Sequence, residues 1–316
     1  MGFLVNSAVC LTYPICTDYV MSNSAQLPGD EEFNYLAEIP SNLKIVFTSL
    51  LPSWRAIRRR LGAMEGESDF LLAITLCPLN QWVEIKNRVW RLKPGPHKYR
   101  LFYDAGSHVG IIKCMPSLGH EVVTGIFEMT LNRMLPANVE PYMTKATLFI
   151  NRNNSQKEGD GSWVPDTRDR DEWPSLVLEV GYSQTLQSLR QNARWWLESP
   201  PPILASGAVS RGVRQVVIIK IIPPERKIII ESWVCGPNPP MTRNRAGVAI
   251  QEQPAITLVT TLDPNTNAYS TTIQGSRTLP ILWEALNDGP WGTGQGNYIM
   301  GENVLKSIGN RVWRKI

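Results

Sequence analysis

The sequence predicts a mixed α/β fold, with a mixed central β-sheet flanked by helices and an extension at each end. Three observations predict it. Short apolar runs broken by Pro and Gly crowd residues 69–114, as strands do. Two stretches, 117–135 and 184–198, keep a helical apolar period. Apolar runs at 175–180, 215–222 and 227–234 have the length of buried strands.

Residues 1–40 read as a poorly ordered leader, because Ser22-Asn23-Ser24-Ala25 and Pro28-Gly29-Asp30 break any period. Residues 41–116 read as an N-terminal helix and β-rich extension. A basic helix runs from Ser53, which can cap it, to Leu61. Strands are expected at Phe70–Ile74, Trp82–Ile85, Tyr99–Phe102 and Val109–Ile112. Residues 117–236 form the expected core. Its first helix carries Val123, Ile126, Phe127, Leu131 and Met134 on one face, and Pro136 stops it. A strand follows at 145–151. Gln156 to Ser162 is polar and Gly-rich, the composition of an exposed loop. After the strand at 175–180, the helix over 184–198 buries Leu186, Leu189, Ala193, Trp196 and Leu197, and Pro200-Pro201-Pro202 ends it. Two strands joined by Pro223-Pro224-Glu225-Arg226 close the core. The C-terminal extension, 237–316, opens with a Pro/Asn/Arg-rich linker. It continues with strands at 256–261 and 271–274, a short helix at 279–286 and a last helix at 302–313.

Composition narrows the function classes. The chain has 316 residues, 43% hydrophobic and 19% charged, enough for a sizeable core. Its net charge of +4 does not by itself argue for nucleic-acid binding. The basic cluster Arg55, Arg58, Arg59, Arg60 suits a solvated helix face as well as a phosphate-tracking patch. Five scattered cysteines without a CxxC pair and three histidines argue against structural zinc and against a disulfide framework. An intracellular location, cytoplasm or nucleus, is expected. The start lacks the basic n-region of a secretory signal, and no apolar run is long enough to span a membrane, so no membrane partner is expected.

The most informative motif is Pro165-Asp166 followed by Glu179 in Leu178-Glu179-Val180. Two acids on neighbouring strands can meet at one sheet edge and bind a hard cation through oxygen. They can equally be ordinary strand-end charges. His120-Glu121 reads as a ligand pair or as a helix start favoured by its acid. Trp195-Trp196 reads as a base-stacking platform or as core. Gly292-Thr293-Gly294-Gln295-Gly296 lacks both a preceding apolar strand and a following Lys-Ser/Thr, so it reads as a turn.

The order helix, strand, strand with Pro-Asp, strand with Glu, helix, strand resembles the core of the PD-(D/E)XK nuclease superfamily over about 117–234. Within it the likeness is to restriction endonuclease-like proteins. It rests on Gly119-His120-Glu121, Val164-Pro165-Asp166, Pro174-Ser175-Leu176-Val177-Leu178-Glu179-Val180-Gly181, and the helix with Leu186, Leu189, Ala193 and Trp195-Trp196-Leu197. The resemblance implies a restriction endonuclease-like core. It implies Mg2+ or Mn2+ held by Asp166, Glu179 and the carbonyl of Val180, with Glu121 holding a metal-bound water. It implies nucleic acid as partner and substrate, and it is compatible with a homodimer. The chain departs from the family pattern at Gly181, where a lysine is usual. The helix after it carries Arg190 and Arg194, which can stabilise phosphate charge but stay protonated and cannot serve readily as bases. That departure leaves two expectations of different class: a metal-dependent nuclease, or a degenerate nuclease fold serving as a binding or assembly module. A weaker third is a structural protein whose acids never converge.

Overall fold

The computed structural model describes residues 36–37, 39–63, 70–92, 98–115, 118–136, 139–144, 147–169, 172–204, 206–235, 250–289 and 296–316, all within one unit spanning 35–316. The expected leader up to residue 35, most of the linker after Cys235 and the glycine turn at 292–295 lie outside the described residues.

The chain builds two large sheets. The first contains β1 (Lys44–Val46), β2 (Phe70–Thr75), β3 (Lys98–Asp104), β4 (Val109–Met115), β6 (Leu148–Ile150) and β7 (Gln156–Glu158), in the order β1-β2-β4-β3-β7-β6. Two helices belong to its N-terminal part, α1 (Leu50–Ala63) and α2 (Leu79–Arg91). The strand expected at 82–85 is the middle of α2. Aromatic and β-branched residues there mimic a strand locally. Over a longer window Trp82, Ile85 and Val89 fall at helical spacing, and all three are buried. Trp82 stacks on Tyr103 of β3 with ring centroids 5.5 Å apart. Gly110 of β4 leaves the space, since a Cβ there would lie 2.3 Å from the Trp82 ring.

The second sheet contains β5 (Tyr142–Thr144), β8 (Gly161–Val164), β9 (Leu176–Gly181), β10 (Gln215–Ile222), β11 (Lys227–Cys235), β13 (Ile256–Asp263) and β14 (Ala268–Gly275). Its order is β14-β13-β11-β10-β9-β8-β5, and β12 (Ile250–Glu252) also pairs with β11. It is mixed: β9 and β10 are parallel, while β5, β8 and β9 form antiparallel neighbours. The parallel pair needs a crossover, and α4 (Leu186–Glu198) supplies it. Thr185 caps α4 by accepting from the Ser188 N–H at 3.1 Å.

Side-chain alternation along β9 divides the layers. Leu176, Leu178 and Val180 face a core shared with Val123, Phe127 and Leu131 of α3 (Leu118–Met134) and Leu305, Ile308 and Val312 of α6 (Glu302–Trp313). Burying each such Leu-sized chain stabilises by about 1.5–3 kcal/mol. Val177 and Glu179 point the other way, toward α4 and Trp196. The predicted mixed α/β class, a mixed sheet with helices on both faces, is what the structure shows.

Two further differences from the sequence expectation matter. The helix expected at 279–286 is a strand, β15 (Leu279–Ile281), paired with β16 (Tyr298–Met300), followed by the short α5 (Trp283–Asn287). Residue 116 is also no architectural boundary, because β6 and β7 of the expected core complete the sheet begun by β1–β4. Among the described residues no helix is long and apolar enough to cross a membrane.

Candidate functional site

The stretch expected to be an exposed loop, Gln156 to Ser162, is buried throughout. It leaves the first sheet as β7, turns through Gly159-Asp160, and enters the second sheet as β8. Gly159 and Gly161 make the crossing feasible. A Cβ on Gly159 would lie 3.1 Å from Val177, and one on Gly161 would lie 3.2 Å from Glu128 Oε1. The crossing places Asp160 level with Glu179: the Asp160 N–H donates to the Leu178 carbonyl (3.1 Å), and Gly161 pairs with Leu178.

Asp160 organises the site. Its Oδ2 accepts from the Val180 N–H at 2.8 Å and from Lys113 Nζ at 3.0 Å, and lies 3.1 Å from His120 Nε2. Lys113, on β4, also donates to the Val180 carbonyl at 3.0 Å. An ammonium therefore sits where a carboxylate oxygen and a backbone carbonyl converge. Burial alone would raise the Asp160 pKa; Lys113 and His120 overcome it and hold this carboxyl well below its usual value.

Glu179 lies on the next strand at the same end. Its Oε1 accepts from Trp196 Nε1 at 2.7 Å and lies 3.5 Å from Lys157 Nζ. Lys157, on β7, donates to Asn192 Oδ1 of α4 at 2.9 Å and packs over the Phe102 ring, 5.0 Å from its centroid. Burial pushes its pKa below the ordinary lysine value, and the Glu179 charge opposes that. Arg100, Lys113, Lys157, Asp160, Glu179 and Asn192 line one cleft between the first sheet and α4.

Glu158 lines the same cleft. Burial pushes its pKa from 4.5 up to about 8, against the pull of Arg100 and Lys86. The folded chain thus keeps this proton up to about pH 8, whereas the unfolded chain releases it near 4.5. Between those values the folded state binds more protons. The group's contribution is full below the unfolded pKa and drains away as pH rises to the folded one. Glu158→Gln should therefore gain stability relative to wild type between pH 5 and 8. Each shifted pKa unit is worth at most about 1.4 kcal/mol; because the effective dielectric around buried protein charges exceeds that of a dry interior, we expect a total of about 1–2 kcal/mol. Urea unfolding across that range measures it, and a pH-independent difference would contradict the assignment.

The structure redistributes the residues expected from sequence. Glu179 lines the cleft, and the Val180 carbonyl accepts from Lys113, which lines it too. Asp166 does not line it: it is exposed in the turn beyond β8. In an antiparallel pair an acid level with Glu179 must precede Trp163, which pairs with Leu176, and Asp166 follows it. Six residues of extended chain, roughly 20 Å, separate positions 160 and 166. Glu121 is half-buried in the first turn of α3 and is not among the residues lining the cleft; its neighbour His120 reaches Asp160 instead. Arg190 is engaged elsewhere, bonding both oxygens of Glu231 at 3.0 and 2.6 Å. Arg194 is exposed and does not line the cleft. Trp195 and Trp196 are buried in an aromatic cluster with Trp173, so they offer no stacking surface.

A lysine at 181 would be crowded by the start of α4. A Cβ on Gly181 would lie 2.9 Å from Leu189 Cδ1 and 3.2 Å from the Gln184 carbonyl. Leu189 of α4 packs against the end of β9, and the cations at the cleft come from β4 and β7, as Lys113 and Lys157.

No protein-family model matches the chain, and no curated protein matches it. Among solved structures, the chain is similar to a candidate nuclease belonging to DUF820 from Anabaena variabilis ATCC 29413. The identity is 11%, over 73% of this chain and 98% of that one, with a TM-score of 0.38. A likeness that distant carries no argument about activity.

The donor set can be tested against a hard cation on its own chemistry. Among the described residues no group of three His, Cys, Asp or Glu is placed to hold a metal. Magnesium, however, is commonly held by one or two carboxylates with waters completing its shell. Asp160, Glu179 and the Val180 carbonyl are oxygen donors of that kind. The Lys113 ammonium, 3.0 Å from both Asp160 Oδ2 and the Val180 carbonyl, already marks the place as favourable to positive charge.

Proposed function

We propose that the cleft is a divalent-cation-dependent phosphodiesterase site acting on nucleic acid, on a restriction endonuclease-like core. The single observation that supports this most is the convergence of the Asp160 carboxylate and the Val180 carbonyl on one cation, beside Glu179. The chain order α3, β5, β8, β9, α4, β10, with β6 and β7 of the first sheet inserted between β5 and β8, follows the order that the sequence resemblance implies, except that Asp166 lies beyond β8 rather than on it.

Asp160, Glu179 and the Val180 carbonyl would hold Mg2+ or Mn2+. Such an ion supplies charge neutralisation at the phosphate and a more acidic water. The chain's own groups do the rest. The Val180 N–H and His120 fix the Asp160 carboxylate. The Trp196 indole N–H orients Glu179. Lys113, on a flexible stem, can leave Asp160 for a phosphate oxygen. Lys157 is held by Asn192 over Phe102, and its lowered pKa brings it closer to exchanging a proton with water than an arginine could.

The same ammonium favours a second reading. Lys113 already pairs with Asp160, so the chain itself supplies a cation to this carboxylate, which suits a nucleic-acid-binding or assembly module. Incubation of circular and single-stranded DNA and of RNA with the full chain separates the two. The nuclease reading expects cleavage with Mg2+ or Mn2+ and none in excess chelator. Intact substrate under both conditions, from folded protein, would leave the module.

A further inference from the structure

The positive charge of this protein is concentrated on one pair of helices. Helices α1 and α2 together carry Arg55, Arg58, Arg59, Arg60, Lys86, Arg88 and Arg91 against a single acid, Glu84. That surplus of six exceeds the formal net charge of the whole chain, +4, so the remainder is net acidic. All four α1 arginines are exposed. Two indoles are interleaved with the cations. The Arg88 guanidinium lies 6.0 Å from the Trp54 ring centroid, linking the two helices, and Lys86 Nζ lies 5.1 Å from that of Trp90, which is 52% exposed. The band does not end at α2. Lys86 Nζ reaches Gln156 Oε1 at 3.5 Å, one residue before Lys157, and interacts with Glu158 at the cleft.

We propose that the exposed face of α1 and α2 is a binding surface for single-stranded nucleic acid, on which the arginines track phosphates and Trp90 stacks on a base beside the cleft. Cations alone would suit any polyanion. Exposed indole beside them adds an affinity that only unpaired bases can use. Continuity with the cleft explains why the surface lies there, and to that extent the inference rests on the cleft acting on nucleic acid.

The test reads binding, not cleavage, so it is independent of the cleft's activity. The full-length chain, in excess EDTA, is titrated into a fluorescein-labelled oligonucleotide of about 20 nucleotides, and anisotropy is followed between about 50 and 200 mM salt. The triple variant Arg55→Gln/Arg58→Gln/Arg59→Gln should weaken binding at least about tenfold. It should flatten the log–log salt dependence by about 2, since each lost phosphate contact removes about 0.7 for a single strand. Trp90→Ala should weaken binding about fivefold or more and leave the salt slope unchanged. These side chains are exposed, so circular dichroism should show all variants folded. Three results would overturn the proposal: parental affinity and slope in the triple variant, a duplex bound as tightly as the single strand, or capture by phosphatidylserine vesicles without oligonucleotide binding. A chain that binds through these residues yet cuts nothing would refute the phosphodiesterase reading alone.

Discussion

Asp160→Asn should lose magnesium-dependent cleavage by at least about a hundred- to a thousandfold, whereas Asp166→Asn should keep activity within about twofold. The two acids are six residues apart and differ in everything that matters to a cation. Asp160 is buried, accepts the Val180 N–H at 2.8 Å and shares Lys113 with the Val180 carbonyl. Asp166 is exposed in a turn. Removing the Asp160 charge also leaves Lys113 and His120 without their anion, so the variant must be assayed where near-UV circular dichroism shows it folded. Glu179→Gln is the matched comparison, because it removes a charge from the same cleft while Trp196 can still donate to the remaining carbonyl oxygen. An Asp166→Asn protein as inactive as Asp160→Asn would move the site to the opposite end of β8.

Asp288→Asn should destabilise the fold by about 3–5 kcal/mol, the cost of leaving a buried charge uncompensated. The Arg168 guanidinium is fully buried and is held in a fork by Asp288, at 2.8 Å from Nε to Oδ2 and 2.6 Å from Nη2 to Oδ1. It also donates to the carbonyls of Trp173 and Arg211. Arg211 makes a second pair with Asp288 from a more exposed position. Asp288 ends α5 in the left-handed region, φ 57°, a conformation asparagine tolerates well, so the variant tests the charge rather than the backbone. Urea unfolding should show a lower midpoint at unchanged slope. A loss below about 0.5 kcal/mol would mean that the carbonyls alone satisfy Arg168. The contact also gives the C-terminal segment a structural role, tying α5 to the β8–β9 connection at the end of β8 away from the cleft.

Much of this architecture was legible in the sequence, and the exceptions share a cause. Helix α3, strand β9, helix α4, the β10–β11 pair and helix α6 each carry a long, uninterrupted apolar period, and each lies where that period places it. In helix α2, Trp82-Val83-Glu84-Ile85 favours a strand over four residues, while the helical stripe is visible only once Val89 is included. The 156–162 stretch reads as surface because polarity and glycine normally mark it. Here the glycines permit a tight crossing between two sheets, and the buried polar groups find partners on other elements: Lys157 on Asn192, Asp160 on Lys113 and the Val180 N–H, Ser162 on Thr144. At the cleft, Glu179 and Val180 could be found from the apolar strand that carries them. Asp160 could not be found from composition. The signal that locates it is register: in a hairpin closed by residues 165–175, only an acid before the strand at 161–164 can stand level with Glu179. Lys113 and Lys157 were beyond local reading, since they come from strands of the other sheet, 67 and 22 positions before Val180 and Glu179.

The central claim is that Asp160 and Glu179, not Asp166, form the cation-binding acids of this chain. Anomalous diffraction from crystals soaked in Mn2+ tests it most directly. The account predicts a manganese peak within about 2.0–2.5 Å of oxygens of Asp160, Glu179 and the Val180 carbonyl, with Lys113 displaced. A peak at Asp166, or Lys113 still bridging Asp160 and Val180 in manganese-saturated crystals without a peak beside it, would contradict it.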